Sequence, residues 1–436
     1  MRVVVRPARM LTGTVRAPSD KSISHRVALV GALAPGPTEI SGFLEAEDCL
    51  NTLRALHALG VEVTRKEPGQ YRIDGVGAGG FQEPENVLDC GNSGTSARLL
   101  LGVLAAQPFW SILTGDDSLR RRPMNRVTDP LRQMGATVVG RQDGSRLPLA
   151  IRGARPLRGG YHRLLVASAQ VKSALLLAGL NADGPLTVEE PEASRDHTER
   201  LLARFGARVE QDGRRVTVHP GPKLSGQSVR VPGDFSSAAF FLVAGCLVPE
   251  SYLTLPEVGV NPTRTALLDV LEAMGAEVRL VERVDESEPT ATLTARTSRL
   301  RGTRVGGALV PRLIDELPVL AVAAAVAEGV TEVSDARELR VKESDRILTL
   351  ASELAKMGVR IEEREDGFRI RGGYPLTGAR VQSYGDHRIA MALMVAGLLA
   401  SGQTVVEDTA CVATSFPEFV PMLQALTGGT RVTVEP

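Results

Sequence analysis

One pattern returns six times along the 436 residues: Leu, three residues, Gly, two residues, then a β-branched residue. It reads LHALGVEV from Leu56, LRQMGATV from Leu131, LARFGARV from Leu202, LEAMGAEV from Leu271 and LAKMGVRI from Leu354, with a looser LQALTGGTRV from Leu423. Gly60, Gly135, Gly206, Gly275 and Gly358 lie 75, 71, 69 and 83 residues apart. An amphipathic helix that ends at a C′ glycine and passes at once into a strand gives this pattern. Glycine takes left-handed φ without a Cβ penalty, so the chain can turn sharply there. A period of this length, held in register, predicts one supersecondary unit repeated.

A second element keeps the same rhythm. Stretches rich in Ala, Leu and Gly occur at 27–33, 96–106, 171–179, 237–246, 317–327 and 389–400. They are apolar on all faces and predict buried helices. Strand-like runs such as TEISG from Thr38, TEVSD from Thr331 and TVVED from Thr404 follow them. Each unit then reads as buried helix, strand, amphipathic helix and strands, an α/β chain of six units. Six units divide into two domains of three, expected at 19–230 and at 1–18 plus 231–436. Crossings near Ala17–Pro18 and Val231–Pro232–Gly233 would act as hinges for closure over a ligand in an interdomain cleft.

Composition bounds the function. Lys+Arg and Asp+Glu are both 51, so the formal net charge is zero and positive potential must be local. Generic attraction to nucleic acid or an anionic membrane is not expected. Cys49, Cys90, Cys246 and Cys411 lie far apart without CxxC pairs, and the six histidines are scattered, so neither a disulfide framework nor a metal site is expected. The segment 1–6 lacks a signal-peptide core, and the uncharged run 389–406 reads as a buried helix plus a strand. A cytoplasmic protein is expected.

The chemistry-bearing residues cluster where chain enters the buried helices. These segments are Lys21 to Arg26, DCGNSGTSAR ending at Arg98, Ser168-Ala169-Gln170-Val171-Lys172, GDFSS ending at Ser237, Ile314-Asp315-Glu316, and Gly385-Asp386-His387-Arg388. Helix N-termini favour anions, and Lys, Arg and hydroxyls there describe a site for a small, multiply anionic ligand. Each cluster alone could be ordinary capping. Two further cationic segments are Arg120-Arg121-Arg122 and Arg340 to Arg346, whose bland reading is a solvated charge run. Gly75 to Gly80 matches G-x-G-x-x-G, but no helix follows to receive a pyrophosphate, so a loop is expected. No Walker-type phosphate loop is present.

The segments PSDKSISHR, GNSGTSARLL, TGDDSLRRRPM, SAQVKSALLLAGL, LRVKESDRI, GDHRIAMAL and SFPEF stand in this order along nearly the whole chain. The ordered set resembles the 5-enolpyruvylshikimate-3-phosphate (EPSP) synthase family. That resemblance implies a two-domain inverse α/β barrel-like fold of six βαβαββ units. It implies transfer of the enolpyruvyl group of phosphoenolpyruvate to the 5-hydroxyl of shikimate 3-phosphate, with release of phosphate, in the shikimate pathway. It further implies a monomer without metal or other cofactor, and a target of glyphosate.

Carried over residue by residue, Lys21, Ser22, Arg26, Ser168, Ala169, Gln170, Arg195, Asp315 and Lys342 would bind shikimate 3-phosphate. Lys21, Gly94, Arg122, Gln170, Arg346 and Arg388 would cradle phosphoenolpyruvate. Asp315 would take the hydroxyl proton, while Glu343, with Lys342 beside it and Lys21 facing phosphoenolpyruvate, would deliver and retrieve the proton at C3. Charge counting agrees. Each substrate carries about −2.5 to −3 near neutral pH. The seven cations Lys21, Arg26, Arg122, Arg195, Lys342, Arg346 and Arg388 answer that charge.

Departures from the family pattern are local. Thr414 stands where many relatives carry Lys before the Ser-Phe-Pro motif. SRDHTER and SAQ mark a divergent branch. Gly94 is glycine where some glyphosate-tolerant relatives carry alanine, so these two signals point opposite ways on inhibitor tolerance. The enolpyruvyl transferase acting on UDP-N-acetylglucosamine shares the fold, but its usual loop cysteine is missing from 114–122. A non-catalytic polyanion-binding repeat protein would need the cations but not Asp315 and Glu343.

Overall fold

The computed structural model describes residues 1–221 and 223–435. The chain divides into two compact units, Ser19–Val231 and a composite of Met1–Pro18 with Pro232–Pro436. Each has its own hydrophobic core.

Six four-stranded sheets are found among the described residues, three per unit. One shows the common plan. Leu88–Asp89 runs parallel to Trp110–Thr114, and the helix Gly94–Leu104 makes the crossover that a parallel pair requires. Leu149–Arg152 then pairs antiparallel with Trp110–Thr114, and Thr137–Gly140 takes the edge. The strand order within the repeat is therefore first, second, fourth, third, giving βαβαββ. The mixed α/β architecture of six repeats agrees with the fold expected from the sequence.

Three sheets take a strand from a distant part of the chain. Ser228–Arg230 pairs parallel with Gly36–Ser41, matching Val229 to Ile40, and so closes the Ser19–Val231 unit on itself. Thr12–Thr14 pairs parallel with Tyr252–Gly259. Arg2–Val5 lies antiparallel between Thr404–Glu407 and Val432–Glu435, with Val3 opposite both Val406 and Val434. Repeat periodicity shows six units, but it does not reveal these long-range borrowings.

The helices behind the repeated glycines end as expected. Gly60, Gly135, Gly206, Gly275 and Gly358 have φ of +84°, +109°, +103°, +89° and +86°. After each glycine, the next N–H reaches back five residues, as in Val61 N to Leu56 O at 3.0 Å. The looser sixth copy makes the same bond from Gly429 N to Gln424 O, with Gly428 at φ +70°. These bonds satisfy carbonyls left open at the helix ends.

The apolar helices span Lys21–Leu33, Gly94–Leu104, Ala169–Gly179, Phe235–Leu247, Leu317–Val326 and His387–Gly397. They form the centre of the two cores. Small residues let them approach closely: a Cβ on Gly102 would lie 2.2 Å from Ala174 O of the neighbouring helix. In the composite unit, Phe416 and Phe419 of SFPEF pack on Phe240 and Phe241 at ring separations of 5.3–5.9 Å. That motif fills core. The segment Gly75 to Gly80 ends a strand and turns, with Gly80 N bonded to Gly77 O, and opens no helix. Among the described residues, no helix is long and apolar enough to cross a membrane.

The first buried helix departs from the sequence expectation, starting at Lys21 instead of residue 27. Asp20 accepts from Ile23 N at 2.8 Å and starts the helix early, while Ser24, His25 and Arg26 are buried in it. Ser24 Oγ accepts from Leu44 N at 3.1 Å, His25 Nδ1 meets Thr52 Oγ1 at 2.7 Å and Arg26 donates to Thr198 and Ser173, so distant parts of the unit hold these polar residues in the helix. The charge run ending at Arg346 is likewise not a solvated face. Asp345 caps the helix Arg346–Lys356, and the Arg346 side chain is 1% exposed.

Candidate active site

In the Ser19–Val231 unit the three buried helices begin at polar caps. Asp20, Ser93 and Ser168 accept from Ile23 N, Ser96 N and Val171 N respectively. Lys21 and Ser22 thus form the first helical turn, and Arg26 sits one turn deeper. The Arg26 guanidinium is held by neutral oxygens: Nε donates to Thr198 Oγ1 at 2.8 Å, Nη2 to Ser173 Oγ at 2.9 Å and Nη1 to Ser22 O at 2.9 Å. Lys21 Nζ lies 3.1 Å from Asp48 Oδ2.

Two more groups assemble in the same unit. Arg98 Nη1 donates to Gln170 Oε1 at 2.6 Å, and Gln170 Nε2 donates to Thr95 Oγ1 at 2.9 Å. Arg122 is buried and donates from Nη2 to Asn92 Oδ1 at 2.5 Å and Ser118 Oγ at 3.2 Å. Gly94 lies against both arginines: a Cβ there would stand 2.7 Å from Arg98 Nη1 and 3.3 Å from Arg122 Nη1. The other group surrounds Lys172, whose Nζ lies 2.7 Å from Glu190 Oε2 and 2.8 Å from Glu199 Oε1. Burial pulls the Lys172 ammonium down, but Glu199 and Glu190 outweigh it and hold its pKa above the usual value. Burial pushes the Glu199 carboxyl up against the pull of Lys172. Partly buried Arg195 follows Ser194, which is bound to this group.

The composite unit gathers its candidates around one carboxylate. Asp315 Oδ1 stands 3.4 Å from Arg346 Nη1, 3.8 Å from Arg388 Nε and 3.9 Å from Lys342 Nζ. Arg388 Nη1 also donates to Asp315 O at 3.0 Å. Glu343 Oε2 accepts from Arg346 Nη2 at 2.6 Å. On its far side Arg346 meets Asp386, with Nε donating to Oδ2 at 2.7 Å and Nη2 to Oδ1 at 3.2 Å. Burial opposes the charge on Arg346, yet Asp386, Glu343 and Asp315 raise its pKa well above the ordinary arginine value. Behind Asp315, Glu316 accepts a hydrogen bond from Ser236, which also accepts from Arg264 Nη2 at 2.7 Å.

The structure therefore brings Asp315, Lys342, Glu343, Arg346 and Arg388 together. In the other unit it joins Gly94, Arg122 and Gln170, and ties Arg26 to Ser22. Ser168 and Ala169 start the helix that carries Gln170. Sequence reasoning passed over Arg98, Asp48, Asp386 and Thr198 as site residues. Arg98 and Asp386 stand inside the motifs GNSGTSARLL and GDHRIAMAL. Thr414 donates to Cys411 O at 2.7 Å, closing a turn. Among the described residues, no group of three or more His, Cys, Asp and Glu could hold a metal ion.

The chain matches the family model of EPSP synthase (3-phosphoshikimate 1-carboxyvinyltransferase) over residues 5–423. A relative named 3-phosphoshikimate 1-carboxyvinyltransferase from Desulforudis audaxviator is 55% identical over 428 residues, covering 98% of this chain and 99% of the relative. One of the same name from Geobacter sulfurreducens is 55% identical over 418 residues, covering 96% and 97%. A solved structure of EPSP synthase from Acinetobacter baumannii superposes with a TM-score of 0.88 at 42% identity, covering 100% of both chains. With the residue pattern, the repeat architecture and these relatives in agreement, the chain belongs to the EPSP synthase family.

Proposed function

We propose that this protein transfers the enolpyruvyl group of phosphoenolpyruvate to the 5-hydroxyl of shikimate 3-phosphate and releases phosphate, in the shikimate pathway. Within the family, the observation that carries the reading is one carboxylate, Asp315, ringed by Lys342, Arg346 and Arg388 within 4 Å, with Glu343 on the same arginine. A binding protein for polyanions has no use for acceptor-only carboxylates among its cations.

The reaction is an addition followed by an elimination. The 5-hydroxyl oxygen bonds to C2 of phosphoenolpyruvate while C3 gains a proton. The C2–O bond to phosphate then breaks as a C3 proton leaves. Asp315 orients the hydroxyl and takes its proton, and Glu343 serves C3 with Lys342 beside it. Lys21, Arg122, Arg346 and Arg388 answer the carboxylate and phosphate of phosphoenolpyruvate, with Gly94 leaving room and Gln170 donating. Ser22, Arg26, Ser168, Ala169, Gln170 and Arg195 bind shikimate 3-phosphate, whose ring meets Asp315 and Lys342. Arginine forks suit oxyanions. The protein works as a cytoplasmic monomer, apart from nucleic acid and membrane.

The test follows phosphate release from phosphoenolpyruvate with shikimate 3-phosphate, and in parallel with UDP-N-acetylglucosamine. Release with shikimate 3-phosphate alone is expected. Release with the sugar nucleotide alone, or with neither, overturns the reading.

A further inference from the structure

One buried ion group takes no part in the roles above. Lys172 Nζ sits between Glu190 and Glu199, and all three side chains are at most 6% exposed. Burying three charged groups is costly unless each is paired and bonded, so their geometry is closely determined. The bonds run to one loop. Glu190 Oε2 accepts from Ser194 N at 3.2 Å, Glu190 Oε1 accepts from the Ser194 hydroxyl, and Lys172 Nζ donates to Ser194 O at 3.4 Å. All three polar groups of Ser194 are thereby engaged, immediately before Arg195.

The same helix reaches Arg26 through the next residue. Ser173 Oγ accepts from Thr198 Oγ1 at 2.6 Å and from Arg26 Nη2 at 2.9 Å. Thr198 stands beside Glu199 at the start of the helix His197–Arg204. Lys172 and Ser173 therefore hold Arg195's loop and Arg26 to the helix whose first turn carries Ala169 and Gln170.

We infer that Lys172, with Glu190 and Glu199, is a positioning group that sets the Arg195 loop against Arg26 and the start of the Ala169–Gly179 helix, and so governs affinity for shikimate 3-phosphate. This rests on the substrate assignment proposed above. None of the three carboxylate or ammonium groups touches substrate; they act through Ser194 and Arg195.

The test uses the whole protein and steady-state kinetics. Glu190→Gln keeps shape and removes charge; Lys172→Arg keeps charge and changes shape. In Glu190→Gln the KM for shikimate 3-phosphate should rise about tenfold to about a hundredfold, the worth of one hydrogen bond to a charged group. The KM for phosphoenolpyruvate and kcat should move less than about threefold, within the scatter expected of an untouched contact. In an Arg195→Ala background the same change should have little further effect, because the loop's cation is already gone. Lys172→Arg, which keeps the charge, should keep most of the wild-type affinity for shikimate 3-phosphate. Parallel rises in both KM values, or a full Glu190→Gln effect without Arg195, would reduce the group to a general structural part and overturn the inference. Wild-type protein inactive with shikimate 3-phosphate would instead overturn the substrate assignment itself.

Discussion

Arg26 and Arg122 in one unit and Arg346 in the other make contrasting contacts. In the Ser19–Val231 unit, Arg26 and Arg122 are met by hydroxyl, amide and carbonyl oxygens of Thr198, Ser173, Ser22, Asn92 and Ser118. In the composite unit, Arg346 is met by three carboxylates, Asp386, Glu343 and Asp315. The hydroxyl, amide and carbonyl oxygens around Arg26 and Arg122 fix the direction of each guanidinium. The carboxylates around Arg346 fix that guanidinium too, and the cation keeps them ionised. The second arrangement places beside its cation the carboxylates that moving a proton requires.

The largest effect expected from this contrast falls on the reaction. Asp315→Asn and Glu343→Gln should each lower kcat by about a hundredfold to ten-thousandfold, the usual worth of a positioned acid or base. Rapid quench with both substrates saturating measures it, and near-wild-type turnover in either variant would remove the distinction between the units. Next comes stability. Arg346→Gln leaves the fully buried Asp386 without its cation and should cost about 3–5 kcal/mol in denaturant unfolding. Arg26→Gln removes hydrogen bonds to Thr198 and Ser173 and should cost about 1–2 kcal/mol, while raising the KM for shikimate 3-phosphate. Equal losses in the two variants would break the comparison.

Gly94→Ala sharpens it on a smaller scale. The new Cβ would displace the Arg98 guanidinium from Gln170. The KM for phosphoenolpyruvate should rise about tenfold, with the fold altered by less than about 0.5 kcal/mol because the far end of a flexible side chain can give. The smallest effect is a pH slope. His25 is buried, and burial first, then Lys21 and Arg26, hold its pKa well below 6.5. The unfolded chain therefore binds a proton near pH 6.5 that the fold refuses. Stability should be full above that pH and fall by about 1 kcal/mol from pH 7.5 to 6. Denaturation of His25→Gln across the same range should show a flatter slope.

The helix ends and the apolar helices were legible because their causes are local. A C′ glycine closes its helix through bonds to residues three to five positions back, and an all-apolar stretch must be buried wherever it goes. The six-unit plan followed from repeating those signals. Asp315, Glu343 and the cations stand out as candidates through motif order, since residue type alone does not tell a ligand from a cap.

Other features waited for the tertiary structure. The early start of the Lys21–Leu33 helix depends on partners for Ser24, His25 and Arg26 that lie far along the chain, at Leu44, Thr52, Ser173 and Thr198. The strand Arg2–Val5 completes the last sheet, pairing Arg2 with Glu435 across nearly the whole chain. Which carboxylate neutralises which cation was also beyond the sequence. Arg346 finds Asp386 forty positions away, and Arg26 finds Thr198 at a separation of 172. The sequence by itself determined the repeat, its helix stops and the residue types that serve anions, because bonding within a few residues enforces them. Only the tertiary structure decided which carboxylates and which neutral oxygens meet those cations, because a buried ion's partner is chosen by packing across the fold.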